Sequence, residues 1–236
     1  MVHKERYFSD IDLRLTELIK NGYVKLPSLE YFDLDAIGNK ISSDMNGDTF
    51  VELCDGHRSF LQDLGVDKHL TPKLLKIARD LLGFKGDISN QYHIARRVEP
   101  GNSKEMYRAH FDSHLFTMVL PIKIPSTSNG ESAGELLYFP DARNPPRSEI
   151  SNFLGKASFK RFANKRGMER LALRQELRVD NFQDYCPLLF IGNTTLHTNR
   201  EVSETCSSYR LTLLAHFFDP SPKYGVGGFL RLVRNR

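Results

Sequence analysis

Apolar positions recur at helical spacing early in the chain and at strand spacing later, and the two textures divide it. Between residues 9 and 21, Ile11, Leu15, Leu18 and Ile19 fall on one face, which predicts an amphipathic helix with Ser9 as N-cap. Asn21-Gly22 ends it, because glycine takes the left-handed conformation that closes helices. Residues 23–27 are expected as a short strand stopped by Pro27, and residues 33–43 as a second helix. Residues 44–70, punctuated by Gly47, Gly56 and Gly65, are expected to be irregular. Over 72–83, Leu74, Leu75, Ile77, Ala78, Leu81 and Leu82 supply the buried face of another helix, with Thr71 as N-cap and Pro72 in its first turn.

From residue 90 the period shortens. Segments 91–98, 107–112, 115–124, 135–139, 188–191 and 209–218 are alternating or apolar, and Gly/Pro turns such as Pro100-Gly101 separate them. Many short strands punctuated this way predict a barrel or jelly roll rather than a parallel sheet. Residues 140–180 interrupt the series with a helical pattern. The expected fold class is mainly β with flanking helices. A single domain over 1–236 is expected: an N-terminal helical support (1–89), a jelly-roll core (90–218) carrying a helical insert (141–180), and a tail (219–236).

Composition narrows the class without naming a function. A chain of 236 residues, 40% hydrophobic, can bury one sizeable core. The three cysteines, Cys54, Cys186 and Cys206, are far apart and odd in number, so neither a disulfide framework nor a paired-cysteine zinc site is expected. No apolar signal core opens the chain and no run reaches membrane-spanning length, so a cytoplasmic protein is expected. The net charge of +4 is mild, but it is unevenly placed. Between residues 143 and 178 there are ten basic side chains against three acidic ones, so the remainder is net negative. The four-residue step of 156, 160 and of 170, 174, 178 is that of an exposed helix stripe. If it recruits anything, it favours an acidic or carrier-bound substrate. Nucleic acid is not the expected partner, because the only aromatics interleaved there are Phe153, Phe159 and Phe162.

The chemistry centres on Tyr107-Arg108-Ala109-His110-Phe111-Asp112-Ser113-His114. On a strand, His110 and Asp112 point the same way and can share one metal ion. A third ligand must come from elsewhere, and His197 is the candidate. Two histidines and a carboxylate make a facial triad that leaves coordination positions open, as in non-heme Fe(II) oxygenases. Arg210 heads an apolar run, Arg210-Leu211-Thr212-Leu213-Leu214-Ala215-His216. A buried guanidinium needs an anion, and a dicarboxylate such as 2-oxoglutarate supplies one, with the Thr212 hydroxyl on the same strand face.

The order His-x-Asp, distant His, then Arg-x-Thr resembles the Fe(II)/2-oxoglutarate-dependent oxygenases, in their phytanoyl-CoA dioxygenase-like branch. The resemblance covers roughly residues 22–218. It implies a double-stranded β-helix and an Fe(II) site at His110, Asp112 and His197. It also implies 2-oxoglutarate anchored by Arg210, and O2-dependent hydroxylation of a small or medium-sized molecule with succinate and CO2 as co-products. Halogenating relatives replace the carboxylate with a small residue, so Asp112 favours hydroxylation or a related desaturation or cyclisation. His114 shares the parity of His110, but on a flat strand the two would stand about 13 Å apart at Cα. His216 is the rival third ligand, yet no Arg-bearing strand follows it. Tyr107, Thr117 and Tyr138 are candidates to hydrogen-bond the cosubstrate, and Asn193 to orient a ligand. Two other readings are a non-catalytic jelly-roll module holding an anion or nucleic acid, and a cupin-like metal enzyme without 2-oxoglutarate.

Overall fold

Two antiparallel sheets face each other, each backed by helices on its outer side. The structure, a computed structural model, describes residues 7–102, 106–127, 131–146, 149–173 and 176–220. The larger sheet has six strands in the order β1 (Tyr23–Lys25), β7 (Leu188–Ile191), β4 (Phe116–Lys123), β9 (Arg210–Phe217), β3 (Gln91–Val98), β2 (Phe50–Glu52). The smaller has β6 (Arg178–Asp180), β5 (Leu136–Phe139) and β8 (Leu196–Asn199). Helices α1 (Ile11–Asn21), α2 (Leu34–Met45), α3 (Asp55–Leu64) and α4 (Thr71–Leu82) cover the larger sheet. Helices α5 (Glu149–Phe159) and α6 (Lys165–Ala172) belong to the insert and cover the smaller one. This is the jelly-roll arrangement with N-terminal helices and a helical insert that the sequence pattern predicts.

The period of two along the strands sorts the side chains. On β9, Leu211, Leu213, Ala215 and Phe217 point outward into the core shared with the helices. Arg210, Thr212, Leu214 and His216 alternate with them and face the gap between the sheets. Leu214 packs there with Val119, Leu136, Phe182, Leu188 and Phe190. Truncating Leu213, which is fully buried on the outward face, removes packing worth about 2–5 kcal/mol.

Several local expectations need correction. Helix α1 starts at Ile11, with Asp10 rather than Ser9 as its cap, and Asp10 is held by Arg14 at 2.8 Å. Thr71 lies inside α4, not before it, because a π-helical turn over Val66–Leu70 leads straight into the helix. Residues 44–70 are not irregular: they hold β2, α3 and that turn. The glycines read there as breaks have other uses. Gly56 sits in the first turn of α3 against Ile41 and Asp44, where a side chain would clash, and Gly65 caps α3 in the left-handed conformation. Strands β6 and β8 were not expected, and at three and four residues they are too short to show a period. Segment 107–112 is not a regular strand, and makes only one isolated bridge, His110 to His197. Of the expected tail, residues 221–236 lie outside the described residues, as do Arg147 and Arg174 of the basic stripe. The described helices include none long and apolar enough to cross a membrane. All three cysteines are free.

Candidate metal centre

Backbone pairing brings the three candidate ligands together. Tyr107 N–H donates to Asn199 O at 3.0 Å, and His110 and His197 exchange both backbone hydrogen bonds at 3.1 Å. Segment 107–110 thus runs along the free side of β8. Its imidazole becomes a cross-strand neighbour of His197, with ring centroids 4.4 Å apart. Beyond His110 the chain crosses to the larger sheet. Asp112 N–H donates to Gly192 O at 3.0 Å, and Gly192 N–H to Leu115 O at 2.8 Å. The crossing delivers the Asp112 carboxylate between the two rings.

His110 Nε2 lies 3.6 Å from Asp112 Oδ1, and His197 Nε2 lies 3.7 Å from Asp112 Oδ2. One donor atom from each of the three residues lies within 4.8 Å of the others, a spacing that could hold one metal ion. The tautomers fit that use. His110 Nδ1 donates to Arg108 O at 2.8 Å and His197 Nδ1 to Thr195 O at 3.2 Å, so both Nε2 lone pairs face the gap. Burial holds His197 neutral, its pKa pulled down to about 4. Burial alone would raise Asp112, but the surrounding imidazoles outweigh it and keep the carboxyl well below the ordinary carboxylate range. His197 and Asp112 are buried, whereas the His110 side chain is 54% exposed and marks the open side. Burial would lower the His110 pKa, but its contact with Asp112 raises it instead. Two imidazoles and one carboxylate suit a divalent first-row metal with positions to spare.

Arg210 and Thr212 are both buried on the inward face of β9. The Arg210 guanidinium crosses the gap and donates from Nη1 to Asn199 Oδ1 at 3.0 Å. Asn199 is the next inward position after His197 on β8, one two-residue step of roughly 6.8 Å away. Among the described residues no carboxylate forms a salt bridge with Arg210. Burial, with Arg96 close by, lowers its pKa to about 9, so it stays charged at neutral pH. Arg96 pairs with Thr212 across β3 and β9 and faces the same gap. Its hydrogen bond is to a neutral amide and its face lies over the Phe182 ring at 5.7 Å, while Glu135 and Asp180 attract it without forming a salt bridge, which leaves the guanidinium fork able to take an anion.

The remaining candidates separate. His216 is not part of the three-ligand group, although its Nδ1 lies 3.0 Å from Thr117 Oγ1 and 3.6 Å from Asp112 Oδ2. His114 stacks on His216 at 5.2 Å and on Tyr92 at 6.1 Å, forming an aromatic wall beside Asp112. Thr117 is committed to Asp112, with its hydroxyl 2.5 Å from Oδ2. Tyr107 lines a different cavity, of about 770 Å³, beside Arg200 and Met168. Tyr138 is the cross-strand partner of His197, packs on Tyr23 at 5.3 Å, and has its hydroxyl pKa raised by burial and then by Asp180. The Asn193 backbone carbonyl, not its side chain, is engaged, by Arg143 Nε at 2.8 Å. Sequence reasoning missed Asn199, Arg96 and Gly192. The first would have followed from recognising β8, since it is two residues from His197. The insert's Phe159 packs edge-on against Phe111 at 5.0 Å, and Lys156 donates to Ser113 at 3.1 Å, so α5 braces the outer side of the motif.

No protein-family model matches the sequence, and no curated protein sequence does. Solved structures do share the fold. A prolyl-4-hydroxylase of Pseudomonas putida aligns with a TM-score of 0.51 at 12% identity, over 87% of this chain and 97% of that one. A prolyl 4-hydroxylase from Phytophthora capsici gives 0.56 at 15% identity, over 98% and 75%. The non-heme alpha-ketoglutarate-dependent carbocyclase SnoK from nogalamycin biosynthesis gives 0.52 at 13% identity, over 92% and 89%.

Proposed function

We propose that the protein is an Fe(II)/2-oxoglutarate-dependent oxygenase that hydroxylates an unactivated C–H bond of a small or medium-sized substrate. The observation that carries this reading is one shared gap. Three side chains that could hold a metal lie at one end, and a buried guanidinium with no carboxylate in salt-bridge contact among the described residues lies further along. A metal site alone explains the first but leaves the Arg210 fork without a directly bonded anion, Glu135 and Asp180 attracting it only from further off. The folds of two prolyl hydroxylases and an alpha-ketoglutarate-dependent carbocyclase add support. The phytanoyl-CoA dioxygenase-like branch rests on the order of His110, Asp112, His197 and Arg210 in the sequence.

In this reading His110, Asp112 and His197 hold Fe(II). Bound there with 2-oxoglutarate, ferrous ion would activate O2, the oxidant, whose four electrons come from the C–H bond that is hydroxylated and from 2-oxoglutarate as it becomes succinate and CO2. The chain's own groups do the positioning. Arg210 takes the far carboxylate of the keto diacid on its guanidinium fork, and Thr212 offers a hydroxyl beside it. Leu214, Val119 and Phe190 keep water from the middle of the gap. The exposed Lys160, Lys165, Arg166 and Arg170 would favour an acidic or carrier-linked substrate, and the free cysteines fit a cytoplasmic setting.

Anaerobic titration with Fe(II) and 2-oxoglutarate tests the reading. The expected result is a visible charge-transfer band that His110→Ala abolishes. No band in the wild type, or a band that persists in the variant, overturns it.

A further inference from the structure

The Thr117 hydroxyl makes the one hydrogen bond to the Asp112 carboxylate among the described residues. Thr117 is itself fully buried near the start of β4, flanked by Phe116 and Met118, which face the helices. A valine would fill that volume equally well, so the hydroxyl is there for its hydrogen bonds. It has one proton to give. The carboxylate can only accept, so the proton goes to Asp112 Oδ2, and Thr117 Oγ1 accepts from His216 Nδ1–H at 3.0 Å. His216 stands directly opposite Thr117 in the β4–β9 register and is buried. Its ring packs with those of Tyr92, at 6.0 Å, and His114, at 5.2 Å, which also contact each other at 6.1 Å. The third element is Gly192. A Cβ there would lie 2.8 Å from Thr117 Oγ1 and 3.1 Å from Asp112 Cβ, so only glycine lets the strand, the carboxylate and the turn approach this closely.

We propose that Thr117, backed by His216, is a positioning residue for Asp112: two hydrogen bonds in series fix the rotation of the carboxylate so that it faces His110 and His197 together. The proposal rests on the metal reading above and extends it to two residues that are not ligands. Both imidazoles are oriented by backbone carbonyls, whereas the carboxylate, with imidazole nitrogens 3.6–3.7 Å away, has the Thr117 hydroxyl as its short side-chain hydrogen bond.

The test is metal affinity, measured by titrating metal-free protein anaerobically with Co²⁺ and following its visible absorption. Thr117→Val is expected to weaken binding by about 10–100-fold, the usual cost of losing a partner behind a ligand, while Thr117→Ser stays within about threefold of wild type. His216→Leu is expected to weaken it by about tenfold, and His216→Asn, whose amide N–H can replace Nδ1–H, to restore most of the loss. Because His216 reaches Asp112 Oδ2 through Thr117 as well as directly, at 3.6 Å, the Thr117→Val/His216→Leu double variant should lose less than the two single losses combined. Thermal melts of the metal-free proteins identify any variant that fails to fold; Thr117→Ser and His216→Asn keep both hydrogen bonds and carry the comparison if the apolar variants do. Unchanged affinity in Thr117→Val, loss without rescue in Thr117→Ser, or additive losses in the double variant overturn the proposal alone. A wild type that takes up no Co²⁺ removes the metal reading and this proposal together.

Discussion

Histidines lie on both sides of the larger sheet, and the two groups are built differently. In the gap between the sheets, His197 on β8 and His216 on β9 surround Asp112, and each Nδ1 has a partner. On the outer face, His57 on α3 and His93 on β3 lie 6.0 Å apart among apolar residues. His57 is fully buried, neither of its ring nitrogens has a hydrogen-bond partner, and His93 Nδ1 has none either. Burial, and after it the neighbouring imidazoles, pulls their pKa values down to about 3 and about 4. Both groups are neutral and desolvated. What separates them is a carboxylate and directed Nδ1 bonds, which turn lone pairs toward a common point. Burial of imidazole alone does not make a metal site.

The sharpest way to break that contrast is to remove one histidine from each group. His197→Ala is expected to weaken Co²⁺ or Fe²⁺ binding by well over a hundredfold, since the loss of a mere supporting partner already costs about 10–100-fold. His57→Leu should leave it unchanged. Equal effects on metal titration would mean that the inner group has no special standing.

Arg210→Gln is the next largest change. It removes a charge-assisted hydrogen bond worth about 2 kcal/mol, so the apparent 2-oxoglutarate requirement should rise by roughly 10–100-fold with metal affinity unchanged. Steady-state kinetics against 2-oxoglutarate, alongside Co²⁺ titration, separate the two effects. A cupin-like metal enzyme that ignores 2-oxoglutarate would show no change.

The outer pair should show itself in stability against pH. Folding keeps His57 neutral down to about pH 3, whereas the unfolded chain takes up its proton below about 6.5. The unfolded state therefore binds more protons between those values. The stability is complete above pH 6.5 and is lost as pH falls toward 3, by roughly 2 kcal/mol between pH 7 and pH 5 for this one group. Urea melts at the two pH values should show that loss shrink by about the same amount in His57→Leu. An unaltered pH dependence would mean that the imidazole is hydrated or already charged in the native state.

How far the sequence could be read follows the range of the interactions. The strand texture after residue 90 and the apolar faces of α1, α2 and α4 are local patterns, and the fold class came from them. The order His110, Asp112, His197, Arg210 is also a pattern along the chain, so the residues that converge could be named. Three things were not legible. Strand β8, four residues long, takes its identity from pairing with β5 and with segment 107–110, not from any period of its own. Thr117 and His216 lie 99 positions apart, and only the β4–β9 register sets them side by side. Gly192 looks like an ordinary turn glycine until the atoms crowding its missing side chain are counted.

Arg143 gives the insert an unexpected reach. Its guanidinium sits 4.0 Å from the centre of the Phe111 ring, bonds to the carbonyl of Asn193, and grips Asn152 on α5. One side chain thus fastens α5 to both segments from which the ligands emerge. Anyone grafting a foreign helical cover onto this barrel to redirect its selectivity would unlatch the residues flanking Asp112 and His197 as well. Such a transplant succeeds only if that arginine, and the surface it clasps, travel with it.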